Sequence, residues 1–199
     1  PAIVLNHISK SFGAVQANRD IHLDVTAGTI HGIVGENGAG KSTLVSILYG
    51  FYTADQGEIK IFGQPAALRS TADAIATGIG MVHQHFMLVP NFTVLENIIL
   101  GHEGTDSLSA GLEKATLRLQ EIADKYGLQV DLHATVQDLA VGLQQRVEIL
   151  KALYRGAKIL ILDEPTGVLT PQETEQLFEI LKALRAQGVT ILLITHKLK

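Results

Sequence analysis

The chain has 199 residues, of which 46% are hydrophobic and 18% charged, a composition typical of globular proteins and not of disordered ones. Its formal net charge is −4 and it has no block of basic residues, so its electrostatics do not favour a nucleic-acid partner. Cysteine is absent, which excludes a disulfide framework and is compatible with a reducing compartment. No apolar run approaches the roughly 18 residues that cross a bilayer, and no signal-peptide pattern opens the chain. We therefore expect a soluble protein that reaches a membrane only by docking.

Apolar stretches and helical periodicities alternate along the chain. Short apolar runs predict strands at residues 2–8, 21–25, 29–34, 58–62, 78–83, 158–162 and 190–195. Apolar residues at helical spacing predict helices over residues 42–49, 112–126, 143–154 and 171–187. The last helix has a complete start signal, with Thr170 as N-cap, Pro171 in the first turn and Glu173 three residues after the cap.

The alternation of strands and helices predicts an α/β fold. Continuous apolar strands are typical of a parallel sheet that is covered on both faces. Helical periodicity dominates from about residue 87 to residue 155. We interpret residues 87–155 as a helical subdomain inserted into an α/β core that is formed by residues 1–86 and 156–199.

A glycine-rich segment lies between a predicted strand and a predicted helix. Residues 35–42 read Gly-Glu-Asn-Gly-Ala-Gly-Lys-Ser and match the P-loop pattern G-x-x-x-x-G-K-[ST]. Glycines let successive backbone N–H groups point at phosphate oxygens, and the following helix adds its positive N-terminal end. Lys41 is expected to reach the β- and γ-phosphates of ATP, and the Ser42 hydroxyl is expected to hold Mg²⁺. The expected nucleotide contacts are Gly35, Asn37, Gly38, Ala39, Gly40, Lys41, Ser42 and Thr43. A chance match, expected in roughly one chain in a hundred, is the alternative.

Two carboxylates follow the predicted strand 158–162. Ligands of open α/β sheets bind at the carboxyl edge, so Asp163 and Glu164 are suitably placed beside a nucleotide on the P-loop. We expect Asp163 to bind Mg²⁺, usually through water, and Glu164 to polarise the attacking water as general base. The alternative is an acidic strand end at the surface, which the presence of the P-loop disfavours.

With both motifs present, the chain resembles the ABC ATPase family along nearly its whole length. Gln84 lies where the family's Q-loop glutamine contacts Mg²⁺ and senses the membrane domains. His196 resembles the switch histidine that contacts the γ-phosphate, and Phe12 resembles the aromatic residue that stacks on adenine. Each has a structural alternative: Phe12 could pack in the core, and Gln84 could belong to an ordinary loop. His83 and His85 could suggest a metal site, but no carboxylate or cysteine cluster accompanies them.

A segment near the middle of the chain resembles the family's signature. Residues 139–146 read Leu-Ala-Val-Gly-Leu-Gln-Gln-Arg, whereas the usual form is L-S-G-G-Q followed by Q-Q-R. In the family this segment caps a helix N-terminus and reaches across a dimer to the partner's γ-phosphate. The resemblance implies that Leu139, Ala140 and Gly142 serve the partner's nucleotide. Ala140 has no hydroxyl, and one lost hydrogen bond to a charged group weakens the contact by roughly 1.5–3 kcal/mol.

The resemblance also points to one branch of the family. The runs V-G-L-Q-Q-R-V-E-I and G-V-L-T-P-Q-E resemble ATPases of simple-sugar and nucleoside importers, with the nucleoside type nearer. The second run has no aspartate, so a D-loop role falls to the backbone and Thr170. In this branch two ATPase domains usually lie in tandem, and family domains continue beyond the position of His196. The resemblance therefore implies the first domain of a longer chain.

The implied function is that of an ATP-binding and ATP-hydrolysing motor domain, with ATP and Mg²⁺ as cofactors. It couples ATP-driven dimer closure to the uptake of a small polar solute, a nucleoside or a simple sugar. The implied partners are a second ATPase domain, either a tandem half or a second copy, and transmembrane permease subunits. These would hold the domain peripherally at the cytoplasmic face of the inner membrane.

Two alternatives remain open at this point. A binding-only regulatory half-motor is favoured by the altered signature and opposed by the presence of Glu164 and His196. A non-transport ABC ATPase, such as a DNA-repair protein, carries a long coiled coil between Q-loop and signature. The segment between Gln84 and Leu139 is too short for such an arm. A P-loop GTPase is disfavoured because the guanine-reading motif N-K-x-D is absent.

Overall fold

The computed structural model describes residues 1–100 and 108–197, which form two sheets surrounded by helices. The strands are β1 (Ile3–Phe12), β2 (Val15–Val25), β3 (Ile30–Val34), β4 (Gln56–Ile61), β5 (Gln64–Pro65), β6 (Ile79–Val82), β7 (Ile159–Asp163) and β8 (Thr190–Thr195). The helices are α1 (Lys41–Leu48), α2 (Thr71–Ala76), α3 (Val94–Ile99), α4 (Leu108–Tyr126), α5 (Val141–Tyr154) and α6 (Pro171–Ala186), with a 3₁₀ helix at Val136–Asp138.

The first sheet is antiparallel, with the strand order β2-β1-β4-β5. It contains the predicted N-terminal β portion. Strand β2 begins at Val15, six residues before the predicted strand 21–25. Its first half was missed because its side chains are mostly polar and exposed, with Asn18 as the buried exception, so it contains no apolar run.

The second sheet is parallel, with the strand order β3-β8-β7-β6. Alternate residues of β7 belong to different hydrophobic clusters. Ile159 and Ile161 pack in the cluster that contains α1 and β1, whereas Leu160 and Leu162 pack with α4, α5 and α6. The sheet is therefore covered on both faces, as the continuous apolar strands predicted.

Two short helices, α2 and α3, were not predicted. Each spans six residues, too few to produce a helical period in the sequence. Their signals are local: Ser70 caps α2, and Thr93 forms a capping box with Glu96 at α3. The start predicted for the last helix is confirmed, since Thr170 caps α6 and exchanges both capping-box hydrogen bonds with Glu173.

Helices α3, α4 and α5 lie between β6 and β7 in the chain, as the predicted insertion requires. They share one hydrophobic cluster with β7 and α6. The division into a helical subdomain at residues 87–155 stays a prediction. No helix among residues 1–100 and 108–197 is both long and apolar enough to cross a membrane.

Candidate functional site

The carboxyl ends of the four parallel strands meet at one edge of the second sheet, and the predicted chemistry lies there. Strand β3 leads into the P-loop, β8 into His196, β7 ends at Asp163, and β6 leads towards Gln84. The hydrogen bonds between neighbouring strands continue into the loops that follow the strands. Gly35 N donates to Thr195 O at 3.3 Å, and Glu164 N donates to Ile194 O at 2.9 Å. The parallel topology therefore brings sequence-distant motifs to one place.

The P-loop folds tightly over the first sheet. Gly38 and Gly40 have φ angles of 83° and 93°, which L-residues with a side chain rarely adopt. A Cβ on Gly40 would overlap the carbonyl oxygen of Ala17, so the loop backbone lies directly against β2. The Asn18 side chain fixes this contact by donating from Nδ2 to Gly40 O at 3.0 Å.

The lysine of the P-loop is satisfied within the loop itself. Lys41 Nζ donates to the backbone oxygen of Gly35 and, at 2.9 Å, to that of Glu36. Helix α1 begins at Lys41, so the Ser42 hydroxyl lies in its first turn and is exposed. Asn37 and Ala39 are exposed, and Thr43 is half-buried. The loop thus presents backbone N–H groups and a cation around a helix N-terminus, an arrangement that binds phosphate.

The two carboxylates at the end of β7 lie in different environments. The pKa of Asp163 is raised above its ordinary value by burial and, secondarily, by the neighbouring charge of Glu164, while Lys41 acts in the opposite direction. Glu164 has a φ of 47°, an uncommon backbone conformation for a residue with a side chain. Its Oε1 atom lies 2.9 Å from Nδ1 of His196, so the two residues form a hydrogen-bonded pair.

These residues fit a divalent cation. Two adjacent carboxylates repel each other, and the repulsion adds to the raised pKa of Asp163. Hard oxygen ligands such as the Asp163 carboxylate and the Ser42 hydroxyl are those that Mg²⁺ prefers. A cation beside Asp163 would offset the repulsion between the carboxylates of Asp163 and Glu164, which the charge of Lys41 offsets in part.

Gln84 and Phe12, two further predicted site residues, are both exposed. Gln84 is exposed in the loop after β6. Phe12 ends β1 with 42% of its surface exposed, and its ring meets Tyr52 edge-to-face at a centroid distance of 5.0 Å. The alternative that Phe12 packs in the core is therefore wrong. The structure does not bring His83 and His85 into a group of metal ligands among the described residues.

The signature segment forms the N-terminus of α5. Ala140 is the N-cap and has no side chain that could cap the helix. Instead, Gly142 N donates to Oε2 of Glu173 at 2.5 Å, and Oε1 of the same carboxylate accepts from Thr170 N at 3.1 Å. One carboxylate therefore caps both α5 and α6. The pKa of Glu173 is lowered, first of all by the hydrogen bond from the Thr170 backbone.

Sequence reasoning missed two residues that support this site, Asn18 and Gln145, and it missed a second contact of Glu173. Gln145 is buried, and its Nε2 donates to Pro165 O at 2.8 Å, which connects α5 to the loop after Glu164. A glutamine inside a helix gives no local signal of such a contact. The capping box of Glu173 was readable from the sequence, but its bond to Gly142 joins residues 31 positions apart.

A groove of about 260 Å³ lies apart from the P-loop, between β6, α2 and α5. The aromatic ring of Phe51 and the side chains of His83 and Met87 line it, and Phe51 and Met87 are exposed. Buried Glu148 accepts from Met87 N at 3.1 Å at its floor. Burial raises the pKa of Glu148 and lowers that of the neighbouring Lys151.

Comparison with known families accounts for most of the chain. A family model described as ABC transporter matches residues 18–167. The chain belongs to the ABC transporter family. It therefore carries the family's nucleotide-binding fold, and the resemblance identified from the sequence motifs is confirmed.

Among curated proteins, ABC import proteins are similar to this chain. It is 49% identical to the glucose import ATP-binding protein TsgD13 of Haloferax volcanii, over 100% of this chain and 41% of that protein. It is 51% identical to the nucleoside import ATP-binding protein NupA of Lactococcus lactis, over 96% of this chain and 38% of that protein. The chain therefore spans about two fifths of the length of these relatives.

Solved structures of ABC cassettes have the same fold. The ADP conformation of MJ1267, an ATP-binding cassette of an ABC transporter, superimposes with a TM-score of 0.87 at 27% identity, over 100% of this chain and 82% of that chain. The dimeric structure of MJ0796, a bacterial ABC transporter cassette, matches with a TM-score of 0.79 at 28% identity, over 98% of this chain and 88% of that chain. The predicted fold class is confirmed by these matches.

Proposed function

We propose that the chain is an ATP-hydrolysing motor domain of an ABC importer. The observation that carries the proposal is the convergence of the P-loop, the pair Asp163–Glu164 and His196 at one sheet edge. The import function is named for both curated relatives, each of which is more than twice as long as this chain.

In the proposed mechanism the P-loop amides and Lys41 hold the phosphates of ATP. Lys41 already lies over the loop, bonded to the oxygens of Gly35 and Glu36, so it needs only to exchange two carbonyls for phosphate oxygens. A charge-assisted bond to phosphate is stronger than the bonds that it replaces. Phe12, exposed at the end of β1, is the proposed adenine contact.

Ser42, Asp163 and Gln84 are the proposed Mg²⁺ ligands. If bound by these residues, the ion would supply positive charge that offsets the negative charge on the phosphates during transfer. This role is supported by the position of Asp163 at the end of β7, next to Glu164, where the charge of Lys41 acts on it. Exposed Gln84, in the loop after β6, is free to approach the site.

Glu164 and His196 are the proposed hydrolytic pair. Glu164 accepts a proton from the water whose oxygen attacks the γ-phosphorus, while the bond from that phosphorus to the β–γ bridging oxygen breaks and ADP leaves. Nδ1 of His196 holds Oε1 of Glu164, which leaves Oε2 for the water. As the resemblance implies, Nε2 of the same ring would donate to the γ-phosphate, which requires a proton on both ring nitrogens.

A second ATPase domain completes the proposed site. The signature residues Leu139, Ala140 and Gly142 would face the nucleotide of that partner, and the cassette MJ0796 forms a dimer. In this chain Glu173 occupies the amide of Gly142. The γ-phosphate of a partner's ATP would have to displace that carboxylate or bind beside it. We therefore expect dimer closure to cost more free energy here than it would if the Gly142 amide had no internal acceptor.

The groove that Phe51, His83 and Met87 line is the proposed contact with a permease. Its lining includes His83, the residue before Gln84 in the chain, and the exposed apolar side chains of Phe51 and Met87. The permease would hold the domain at the cytoplasmic face of the inner membrane. A nucleoside or a simple sugar is the proposed solute, since the two relatives are named for nucleoside and glucose import.

The test is Mg-ATP hydrolysis by the protein in its native full-length form together with its permease. Lys41→Ala and Glu164→Gln are each expected to reduce turnover by about 10²-fold or more. Glu164→Gln should still retain ATP, because the P-loop is intact. Hydrolysis that persists in the Glu164→Gln protein would exclude Glu164 as general base.

The binding-only half-motor is a second candidate, and the capped N-terminus of α5 favours it. If ATP binds tightly but survives hours of incubation with Mg²⁺, the chain is a regulatory half. Ala140→Ser is then the first change to make. Recovery of turnover in that variant would locate the defect in the signature segment and not in the hydrolytic pair.

A further inference from the structure

An array of metal-binding side chains lies on the exposed face of the antiparallel sheet, outside the site described above. It consists of His7 on β1 and of Asp20 and His22 on β2, here called the His–Asp–His cluster. Nδ1 of His7 lies 2.6 Å from Oδ1 of Asp20, and Nε2 of His22 lies 3.3 Å from the same oxygen. One ligand atom from each residue lies within 4.8 Å of the other two.

Two bulges create this cluster. Between the pairs Leu5–Leu23 and Ile8–Ile21, strand β1 has one residue more than β2, and between Ile8–Ile21 and the next pair β2 has one more. His7 and Asp20 lie in these irregular stretches and have φ angles of 54° and 48°. Bulges re-aim side chains, and these two turn an imidazole and a carboxylate towards each other across the ribbon.

The backbone conformation at both bulges is uncommon for residues with a side chain, although His and Asp adopt it more often than most, and other contacts hold it. Asp20 N donates to Oγ of Ser9 at 2.9 Å, and buried Ile8 fixes the ribbon between the two bulges. Backbone strain of this kind gathers at ligand sites more often than elsewhere. The two imidazole rings meet edge-to-face at a centroid distance of 4.3 Å, and both residues are exposed, so neither ring fills a cavity in the core.

We propose that the His–Asp–His cluster binds a divalent transition-metal ion, with Zn²⁺ as the ion that best suits two imidazoles and a carboxylate. Zinc sites with three protein ligands keep a fourth position for water. Tetrahedral bonds of about 2.0–2.1 Å separate ligand atoms by about 3.3 Å. The distance from Asp20 to His22 already matches this spacing, and Nδ1 of the exposed His7 ring, 2.6 Å from the same oxygen, would move outward to reach it.

The bound ion would join β1 to β2 close to the P-loop. Asn18, two residues before Asp20, donates to Gly40 O at 3.0 Å. The proposed site does not depend on the proposed transport function, because none of its ligands takes part in nucleotide chemistry. We expect the bound ion to stiffen the β1–β2 hairpin beneath the P-loop.

The experiment titrates the tag-free, metal-depleted protein with Zn²⁺ by calorimetry and follows thermal unfolding with and without the ion. We expect one zinc per chain at the cluster and a higher unfolding midpoint. His7→Asn, Asp20→Asn and His22→Gln should each weaken binding at least about tenfold, the lower limit for loss of a residue that orients a metal ligand. Asparagine tolerates positive φ, so the first two changes preserve the bulges. His133→Gln, an exposed histidine elsewhere, is the matched control and should bind zinc as before.

Co²⁺ gives a second readout that needs no variant. Absorption bands typical of tetrahedral cobalt in the unaltered protein, displaced by zinc, would support the site even if a bulge variant failed to fold. No saturable zinc binding would overturn the proposal. Binding that survives all three cluster variants but is lost in His196→Gln would also overturn it, because the ion would then lie at the nucleotide site.

Discussion

The carboxyl edge of the parallel sheet and the N-terminus of α5 are two regions suited to an anion, and they are built differently. At the edge, the cation of the P-loop is Lys41, which is bonded to loop carbonyls that a phosphate could replace. At α5, the amide of Gly142 is already bonded to the carboxylate of Glu173. The backbone of the P-loop is thus already suited to a phosphate, whereas the N-terminus of α5 must first release the Glu173 carboxylate.

The two regions are also connected. Gln145 in α5 donates to Pro165 O, one residue after Glu164, and Glu173 lies in the first turn of the helix that follows this loop. A movement of α5 is therefore expected to reach the hydrolytic pair through one buried hydrogen bond. Contacts from other parts of the chain therefore hold the N-terminus of α5 in place, whereas the topology of the parallel sheet itself forms the carboxyl edge.

The largest effect is expected at Asp163. Asp163→Asn should reduce hydrolysis at least about 100-fold, because metal ions supply several kcal/mol of charge stabilisation at such sites.

The same change should raise the thermal unfolding midpoint at pH 7. The folded chain binds the Asp163 proton more tightly than the unfolded chain, so this residue's contribution to stability is lost as the pH rises through the raised pKa. Differential scanning calorimetry across the acidic range checks this. Asp124→Asn, an exposed change on α4, should alter neither property.

His196→Ala should reduce the rate of hydrolysis by about 100-fold, the lower range for loss of an acid–base group. The reason is that Glu164 Oε1 loses its partner at 2.9 Å, so the carboxylate is free to rotate away from the water. Single-turnover kinetics measures the chemical step. His133→Ala is the control, because His133 is exposed and distant in sequence from the edge. An unaltered rate in the His196→Ala protein would show that hydrolysis does not require the hydrogen bond between His196 and Glu164.

Gln145→Ala tests the connection between the regions. It leaves the Pro165 carbonyl without its donor in a buried place, which costs about 1–3 kcal/mol of unfolding free energy. Urea denaturation measures that loss, and hydrolysis should fall as well because the loop after Glu164 loosens. Gln120→Ala, at an exposed position on α4, should have little effect on either. If Gln145→Ala loses the expected unfolding free energy but hydrolyses ATP at the unaltered rate, the hydrogen bond to Pro165 has only a structural role.

The smallest effect is expected at Gly142. A Cβ there would overlap the Glu173 carboxylate, the end of a flexible side chain, so in Gly142→Ala the cost of displacing it should offset the gain of about 0.5–1 kcal/mol that alanine has over glycine in a helix. Gly111→Ala on α4 meets nothing within 4 Å and should instead stabilise by about 0.5–1 kcal/mol. In a Glu173→Ala background the cost at Gly142 should disappear. A double-mutant cycle with no coupling between the two positions would show that the carboxylate does not hold the helix end.

Much of the fold could be predicted from the sequence because its signals are local. Strands β7 and β8 are apolar runs, and the start of α6 is marked by Thr170, Pro171 and Glu173 within four positions. Strand β2 was only half predicted, since its first half has mostly exposed polar side chains and depends on pairing with β1 for its structure. Helices α2 and α3 are too short for periodicity to reveal them.

The sequence by itself determined the chemical groups of the edge site, because the P-loop spacing and the pair Asp163–Glu164 are local patterns whose neighbours are a strand and a helix. Only the tertiary structure decided which groups meet across the chain. Glu164 meets His196 because β7 and β8 are adjacent, Gly142 meets Glu173 because α5 packs beside α6, and His7 meets Asp20 through two bulges. Side-chain contacts of this kind depend on packing and register, which a linear pattern does not contain.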